Sequence, residues 1–265
     1  GDRMDLGIKN KVALVTAASQ GLGKASAIEL ANEGVKLAIC SRDQDKINQT
    51  AEEIQNLTGG EVLAVKADLD STDDIENLIK EIENKFNTVD ILVNNTGGPK
   101  AGFFDDLSDE DWLKTFESTF LSAVRVTRKV LPFMKKNKWG RVITIASSVA
   151  KKSVGRPWYL LAKKAEVSLM KSFSIDKEFV RSGITFNSVS PGAIMIEDTG
   201  WHKKYIKDPE DFNNMLNENF PMGRLGKPEE VADLVQFLCS EKASFINGED
   251  ICIDGGQSNR EFNSD

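Results

Sequence analysis

The stretch Lys11-Val-Ala-Leu-Val-Thr-Ala-Ala-Ser-Gln-Gly-Leu-Gly23 decides the fold. Its first six residues form a short apolar run, the signature of a buried parallel strand. Small residues and glycines follow. A helix pattern then runs to about Asn32, and Gly34 closes it, as glycine does after a helix C-terminus. A strand that passes through a small-residue turn into a helix presents free N–H groups and positive potential, which suits a phosphate. The same turn can also be a tight connection with no ligand, so its surroundings decide.

Outward from this stretch the alternation repeats. Strand-like runs occur at Val35–Cys40, Glu61–Ala67, Val89–Asn94, Arg141–Ala146, Ile184–Val189 and Glu249–Asp254. Helix patterns lie between them: Asp43–Leu57, a segment ending near Phe86, Trp112–Lys136 with Pro132 near its end, Pro157–Val180, and Pro228–Ser240. Ser71-Thr-Asp-Asp74 and Ser108-Asp-Glu-Asp111 carry the Ser-x-x-acid spacing of helix starts. Alternating strands and helices predict an α/β fold with one parallel sheet covered on both faces. No repeat or linker-like shift divides the chain, so residues 4–265 read as a single domain, with 1–3 an expression remnant. Residues 193–226 read as irregular and polar, with Trp201, Tyr205 and Phe212 interspersed, and a loop of that length in a compact domain is usually functional.

Composition narrows the function. The 265 residues carry a net charge of -7, which disfavours general nucleic-acid binding. No apolar run approaches the ~20 residues of a membrane span. Three scattered cysteines without a framework fit a reduced cytoplasm. The one histidine, His202, excludes His-rich metal sites and leaves a single base for a Ser-His-Asp triad with Ser147.

The run from Ser147 to Lys163 carries the chemistry. Ser147 and Ser148 end a strand-like run, and a helix-like segment then holds Tyr159 and Lys163. Four residues apart, these two share one helical face. A nearby ammonium favours the ionised form of a phenol. A phenol so tuned, beside a serine hydroxyl, can exchange a proton with a carbonyl oxygen.

Thr16-x-x-x-x-Gly21-x-Gly23, Asn94-Asn-Thr-Gly97, Ser147, Tyr159-x-x-x-Lys163 and Ser190-Pro-Gly192 occur in one order after successive strands, with Asp254-Gly-Gly near the end. From about Lys11 to Gly256 this resembles the short-chain dehydrogenase/reductase family, of the 3-oxoacyl-acyl-carrier-protein reductase type. The resemblance implies a Rossmann-type, doubly wound, seven-stranded parallel sheet, assembled as a homotetramer or homodimer. It implies that Thr16, Ser19, Gln20, Gly21, Leu22 and Gly23 form the cofactor's phosphate turn, that Asp68 and Leu69 flank the adenine, and that Asn94 and Gly97 line the adenosine ribose. Tyr159 and Lys163 would hold the nicotinamide ribose as well as act chemically. Pro191, Gly192 and Ile194 would cover the nicotinamide, and 193–226 would form the substrate lid.

The family's Asn that anchors a relay water aligns with Thr119, which offers fewer donors than an amide. Ala17 stands where the first glycine of the turn is usual, and a positive φ there would cost about 1 kcal/mol. Strand two ends Cys40-Ser41-Arg42, with no acid to select NAD. Arg42 can pair a 2′-phosphate through its planar fork and Ser41 can add a hydroxyl, so NADP(H) is favoured over NAD(H). Gln20, where many NADP-type relatives carry a second basic residue, counts against this. The expected reaction is hydride transfer between nicotinamide and a small-molecule carbonyl or secondary alcohol, with Tyr159 exchanging the proton, Lys163 tuning it and Ser147 holding the carbonyl oxygen. Lys100, Lys151 and Lys152 flank the expected cleft and read as a solvated face. The alternatives are a nicotinamide-dinucleotide-binding protein with weak or no turnover and a hydrolase built on Ser147 and His202.

Overall fold

The computed structural model describes residues 3–98, 102–152 and 155–259, so Lys100, like the side chains of Lys151 and Lys152, lies outside what is described. Seven strands are described: β1 (Val12–Val15), β2 (Lys36–Ser41), β3 (Val62–Lys66), β4 (Ile91–Asn94), β5 (Gly140–Ile145), β6 (Ile184–Pro191) and β7 (Asp250–Ile253). All pair in parallel in one sheet of order β3-β2-β1-β4-β5-β6-β7. The helices are α1 (Gly21–Asn32), α2 (Gln44–Thr58), α3 (Thr72–Phe86), α4 (Asp109–Phe116), α5 (Ser122–Asn137), α6 (Ser148–Lys152), α7 (Pro157–Ser174), α8 (Lys177–Val180), α9 (Gly200–Lys207), α10 (Pro209–Asn219) and α11 (Pro228–Leu238).

The strands read as continuous apolar runs because both faces are covered. Successive side chains alternate between two cores. Ala13 and Val15 of β1 join Leu30 of α1, Ile54 of α2 and Val235 of α11 on one face. Val12 and Leu14 join Ile82 of α3, Val130 of α5 and Met170 of α7 on the other. Because all strands run the same way, their carboxyl ends share one edge. The strand order reverses between β1 and β4, which opens a crevice there.

Three expectations need correction. The helix read from Trp112 to Lys136 is α4 and α5 joined by a π-helical turn, Glu117–Leu121. Such a turn inserts one residue into the helical repeat without leaving a mark in the apolar pattern. The helix read over Pro157–Val180 stops at Ser174, and Asp176 restarts the chain by accepting a bond from Glu178 N. Residues 193–226 are mostly helical. Asp208 ends α9 and caps α10 by accepting from Asp211 N, and Pro209 occupies the first helical position. The polar composition hid two i,i+4 apolar pairs, Trp201 with Tyr205 and Phe212 with Leu216. Trp201 stacks edge-on against Phe212 and Phe220, and Phe212, Leu216 and Leu225 make a small core of their own. These aromatics hold the segment together.

Candidate active site

The phosphate turn is fixed by side chain and strand together. The Thr16 hydroxyl donates to the Asn95 carbonyl at 2.8 Å, and Asn95 N–H donates back to Thr16 Oγ1 at 2.9 Å. Asn95 Nδ2 donates to Ala17 O at 3.2 Å, tying the turn to the end of β4. The Ser19 carbonyl accepts from Thr50 of α2. Gly23 has no alternative: a Cβ there would lie 2.6 Å from both Ala17 O and Asn95 Nδ2. Ala17 has φ 47°, so this alanine occupies the left-handed region. Its methyl is the cost of a position made for glycine. Ala17→Gly should therefore raise unfolding stability by about 1 kcal/mol, less what the unfolded chain gains in entropy. Urea melts of the two proteins check this, and a destabilised variant would refute it.

Gln20 is the N-cap of α1 but makes no side-chain cap, and the first turn carries no acid. The N–H groups around Gly21 and Leu22 are thus left for an external anion. Across the crevice, at the end of β2, Arg42 is exposed and makes no hydrogen bond or ion pair among the described residues. Ser41 Oγ donates to Asp43 O at 3.1 Å, and Asp43 caps α2. Asp43 is thereby occupied, and Arg42 remains an uncommitted charge beside it. Asp68 accepts from Asp70 N, and Leu69 is half-buried beside it. Together these features fit a phosphorylated dinucleotide.

On the other side of the switch point, Asn94 turns inward. Its side-chain amide donates to Thr127 Oγ1 at 3.2 Å and Thr144 Oγ1 at 3.4 Å, so its side chain braces β4 against α5 and β5. Gly97 is exposed, with open space where a Cβ would be. Ser147 follows β5 and begins the turn into α6, its carbonyl accepting from Ala150 N. α7 starts with Pro157 at its first position and carries Tyr159, half-buried, and Lys163, buried, one turn later. The Lys163 ammonium stands 5.5 Å from the centre of the Tyr159 ring. It donates to Ile145 O at 3.0 Å and to Thr96 Oγ1 at 3.3 Å, which fixes it at the carboxyl ends of β5 and β4. Thr119 lies in the π-helical turn, buried, and its hydroxyl has no hydrogen-bond partner among the described residues.

Two contributors were not anticipated. Thr96 bonds the lysine directly. Glu166, three residues after Lys163, is fully buried and places Oε1 3.0 Å from the ammonium. Its signal was legible: an acid at i+3 from a lysine on a helix face otherwise lined by Ala162 and Met170. Burial works to discharge Lys163, but Glu166 and Tyr159 outweigh it and hold the ammonium above the usual lysine range. Burial pushes the Glu166 carboxyl up to about 7 against the pull of Lys163. The asymmetry follows from partners, because Lys163 also has Ile145 and Thr96 while neither Glu166 oxygen receives a well-directed hydrogen bond.

At the far side, Pro191 ends β6, and Gly192 N–H donates to Ile253 O at 3.0 Å. A Cβ on Gly192 would meet Asp254 at 2.5 Å. Ile194 is buried and bridges to Gly226, which closes the base of the 193–226 segment. His202 sits in α9, where its Nδ1 accepts from Asp198 N at 3.1 Å, and no hydrogen bond among the described residues joins it to Ser147. Cys40 and Cys239 are buried, and burial pushes both thiols up to about 12, which removes them from nucleophilic chemistry.

Comparison with known proteins agrees with this fold. A family model described as Enoyl-(Acyl carrier protein) reductase matches residues 16–258. The chain is 35% identical over 254 residues to the 3-oxoacyl-(acyl-carrier-protein) reductase FabG of Aquifex aeolicus, covering 96% of this chain and 99% of that one. The crystal structure of L-sorbose reductase from Gluconobacter frateurii complexed with NADPH and L-sorbose superposes with a TM-score of 0.90 at 29% identity, covering 97% of this chain and 100% of that one. A single-residue variant of actinorhodin polyketide ketoreductase with NADPH gives a TM-score of 0.87 at 31% identity, covering 95% of this chain and 98% of that one.

Proposed function

The chain belongs to the short-chain dehydrogenase/reductase family, and from that premise we infer that Tyr159, Lys163 and Ser147 carry out its reaction. The protein is an NADP(H)-dependent oxidoreductase that acts on a carbonyl or the corresponding alcohol. The observation that carries the residue assignment is the Lys163 ammonium, anchored at the ends of β4 and β5 and facing the Tyr159 ring. When bound, NADPH would supply the hydride that the carbonyl carbon accepts. Tyr159 gives its phenolic proton to the oxygen in reduction and takes it back in oxidation. Lys163 presents a fixed positive charge beside that ring. Ser147 donates a hydrogen bond to the carbonyl oxygen as charge builds there. Gly21, Leu22 and Gly23 hold the phosphates, with Thr16, Ser19 and Gln20 shaping that turn. Arg42 would hold the 2′-phosphate, and Ser41 would join it when its hydroxyl turns from Asp43 O. Asp68, Leu69 and Gly97 line the adenosine end, to which Asn94 contributes backbone, and Pro191, Gly192 and Ile194 form the wall beside the nicotinamide. Thr119 offers its free hydroxyl to a relay water.

We also propose that the protein assembles with copies of itself. Leu113 and Phe116 of α4 and Leu161 of α7 are exposed, 71%, 38% and 49%, on two helices that pack together. An apolar face of this kind marks a contact surface, and a homodimer or homotetramer would cover it. Leu113→Glu should move the sedimentation profile to a smaller species, and an unchanged profile would place the contact elsewhere. No helix among the described residues is long and apolar enough to cross a membrane. The cytoplasm suits three cysteines that form no disulfide.

A further inference from the structure

We propose that Glu166 is a positioning residue of the reaction: its carboxylate, held against the Lys163 ammonium inside the protein, sets how much of that positive charge Tyr159 experiences. The inference rests on the Tyr159–Lys163 reading above and deepens it.

A carboxylate with no exposure needs a reason to be there. Glu166 Oε1 meets Lys163 Nζ at 3.0 Å, and no directed hydrogen bond supports either oxygen. A buried ion pair so thinly supported is a poor stabiliser, since desolvation offsets most of its Coulomb gain. Its position is what distinguishes it. Lys163 directs hydrogen bonds to Ile145 O and Thr96 Oγ1, while Glu166 Oε1 lies 3.0 Å from the ammonium as an ion-pair partner without an aligned donor. The ammonium is therefore close to both groups, 5.5 Å from the centre of the Tyr159 ring and 3.0 Å from Glu166 Oε1.

No other charge among the described residues competes. Lys163 is the one charged group that acts on Glu166. On the elements packed against α7, Glu117 of the π-helical turn pairs with Arg125, and Asp111 of α4 caps its own helix at Ser108. Arg141 of β5 bonds the Ser240 and Gly140 carbonyls, and Glu178 of α8 pairs with Lys135. β6 carries no titratable residue, and the two lysine side chains of α6 lie outside the described residues. Glu166 and Lys163 thus form an isolated pair, and Tyr159 is the next group along.

The consequence is a charge that changes near neutral pH. With the carboxyl protonated, Lys163 acts on the phenol with its full charge. With the carboxyl ionised, the pair is close to neutral and its pull on the phenol weakens. The carboxyl is pushed up to about 7, so this change falls within the working range. Coupled groups of this kind titrate in overlapping steps.

The test is the pH profile of kcat/KM for alcohol oxidation with NADP, in wild type, Glu166→Gln and Glu166→Asp. Wild type should rise with pH in two overlapping steps. Glu166→Gln should rise in one step, displaced to lower pH by about one unit, the size expected for removing one charge near the site. Glu166→Asp, which keeps the carboxylate, should restore a two-step rise. A Glu166→Gln profile that superimposes on wild type overturns the proposal, even if stability or the overall rate falls. Where the variants do not fold, infrared spectra of wild type decide: a protonated-carboxyl band should persist into the neutral range and then titrate away, and its absence there overturns the proposal. Loss of activity in Tyr159→Phe with an unchanged Glu166→Gln profile would reject Glu166 and leave the Tyr159 assignment standing.

Discussion

Tyr159→Phe is expected to lower ketone reduction by about 100- to 10,000-fold, the range set by losing a positioned general acid. The ring remains, so its packing at the start of α7 and the neighbouring Lys163 should be kept. NADPH affinity should fall far less than turnover, because the phosphate turn and Arg42 are untouched. The loss should appear in kcat and kcat/KM alike, the mark of an interaction made in the transition state. Steady-state NADPH oxidation with a panel of ketones, paired with a binding titration, separates the two quantities. Equal rates for wild type and variant would remove Tyr159 from the chemistry.

Arg42→Ala is expected to weaken NADPH roughly 10- to 100-fold, the worth of a charge-assisted contact to a phosphate, while leaving NADH nearly unchanged. The selectivity follows from position. Arg42 is exposed and unpaired among the described residues at the end of β2, where a carboxylate would instead bond the ribose 2′-hydroxyl. The nearest acid in sequence, Asp43, is turned into the N-cap of α2. Parallel titrations with the two cofactors check this. Equal losses for both would show that Arg42 acts through the fold rather than through the 2′-phosphate.

Much of this was legible in the sequence, for local reasons. The run Lys11–Thr16, the small residues after it and Gly34 define strand, turn and helix stop within one window, and each signal acts over a few residues. Tyr159 and Lys163 needed only helical spacing. The Ser108 and Ser71 caps formed as written, with Asp111 N and Asp74 N donating to them. What stayed hidden depends on contacts distant in sequence. The inward turn of the Asn94 side chain requires Thr127 and Thr144, which come 33 and 50 residues later. Asn95 braces the first turn from 79 residues away. The helices of 193–226 were masked because lysines and acids surround their apolar pairs. Ala17 shows the reverse: its departure from glycine was visible, but only the backbone reveals φ 47° and hence its cost.

The most direct measurement is transfer of deuterium from NADPH labelled at nicotinamide C4. With a reducible ketone and the wild-type protein, mass spectrometry should find the label on the former carbonyl carbon of the alcohol, and the new hydroxyl proton should come from solvent. Tight NADPH binding without label in any product, across a broad ketone panel, would contradict the account and leave a dinucleotide-binding protein in its place.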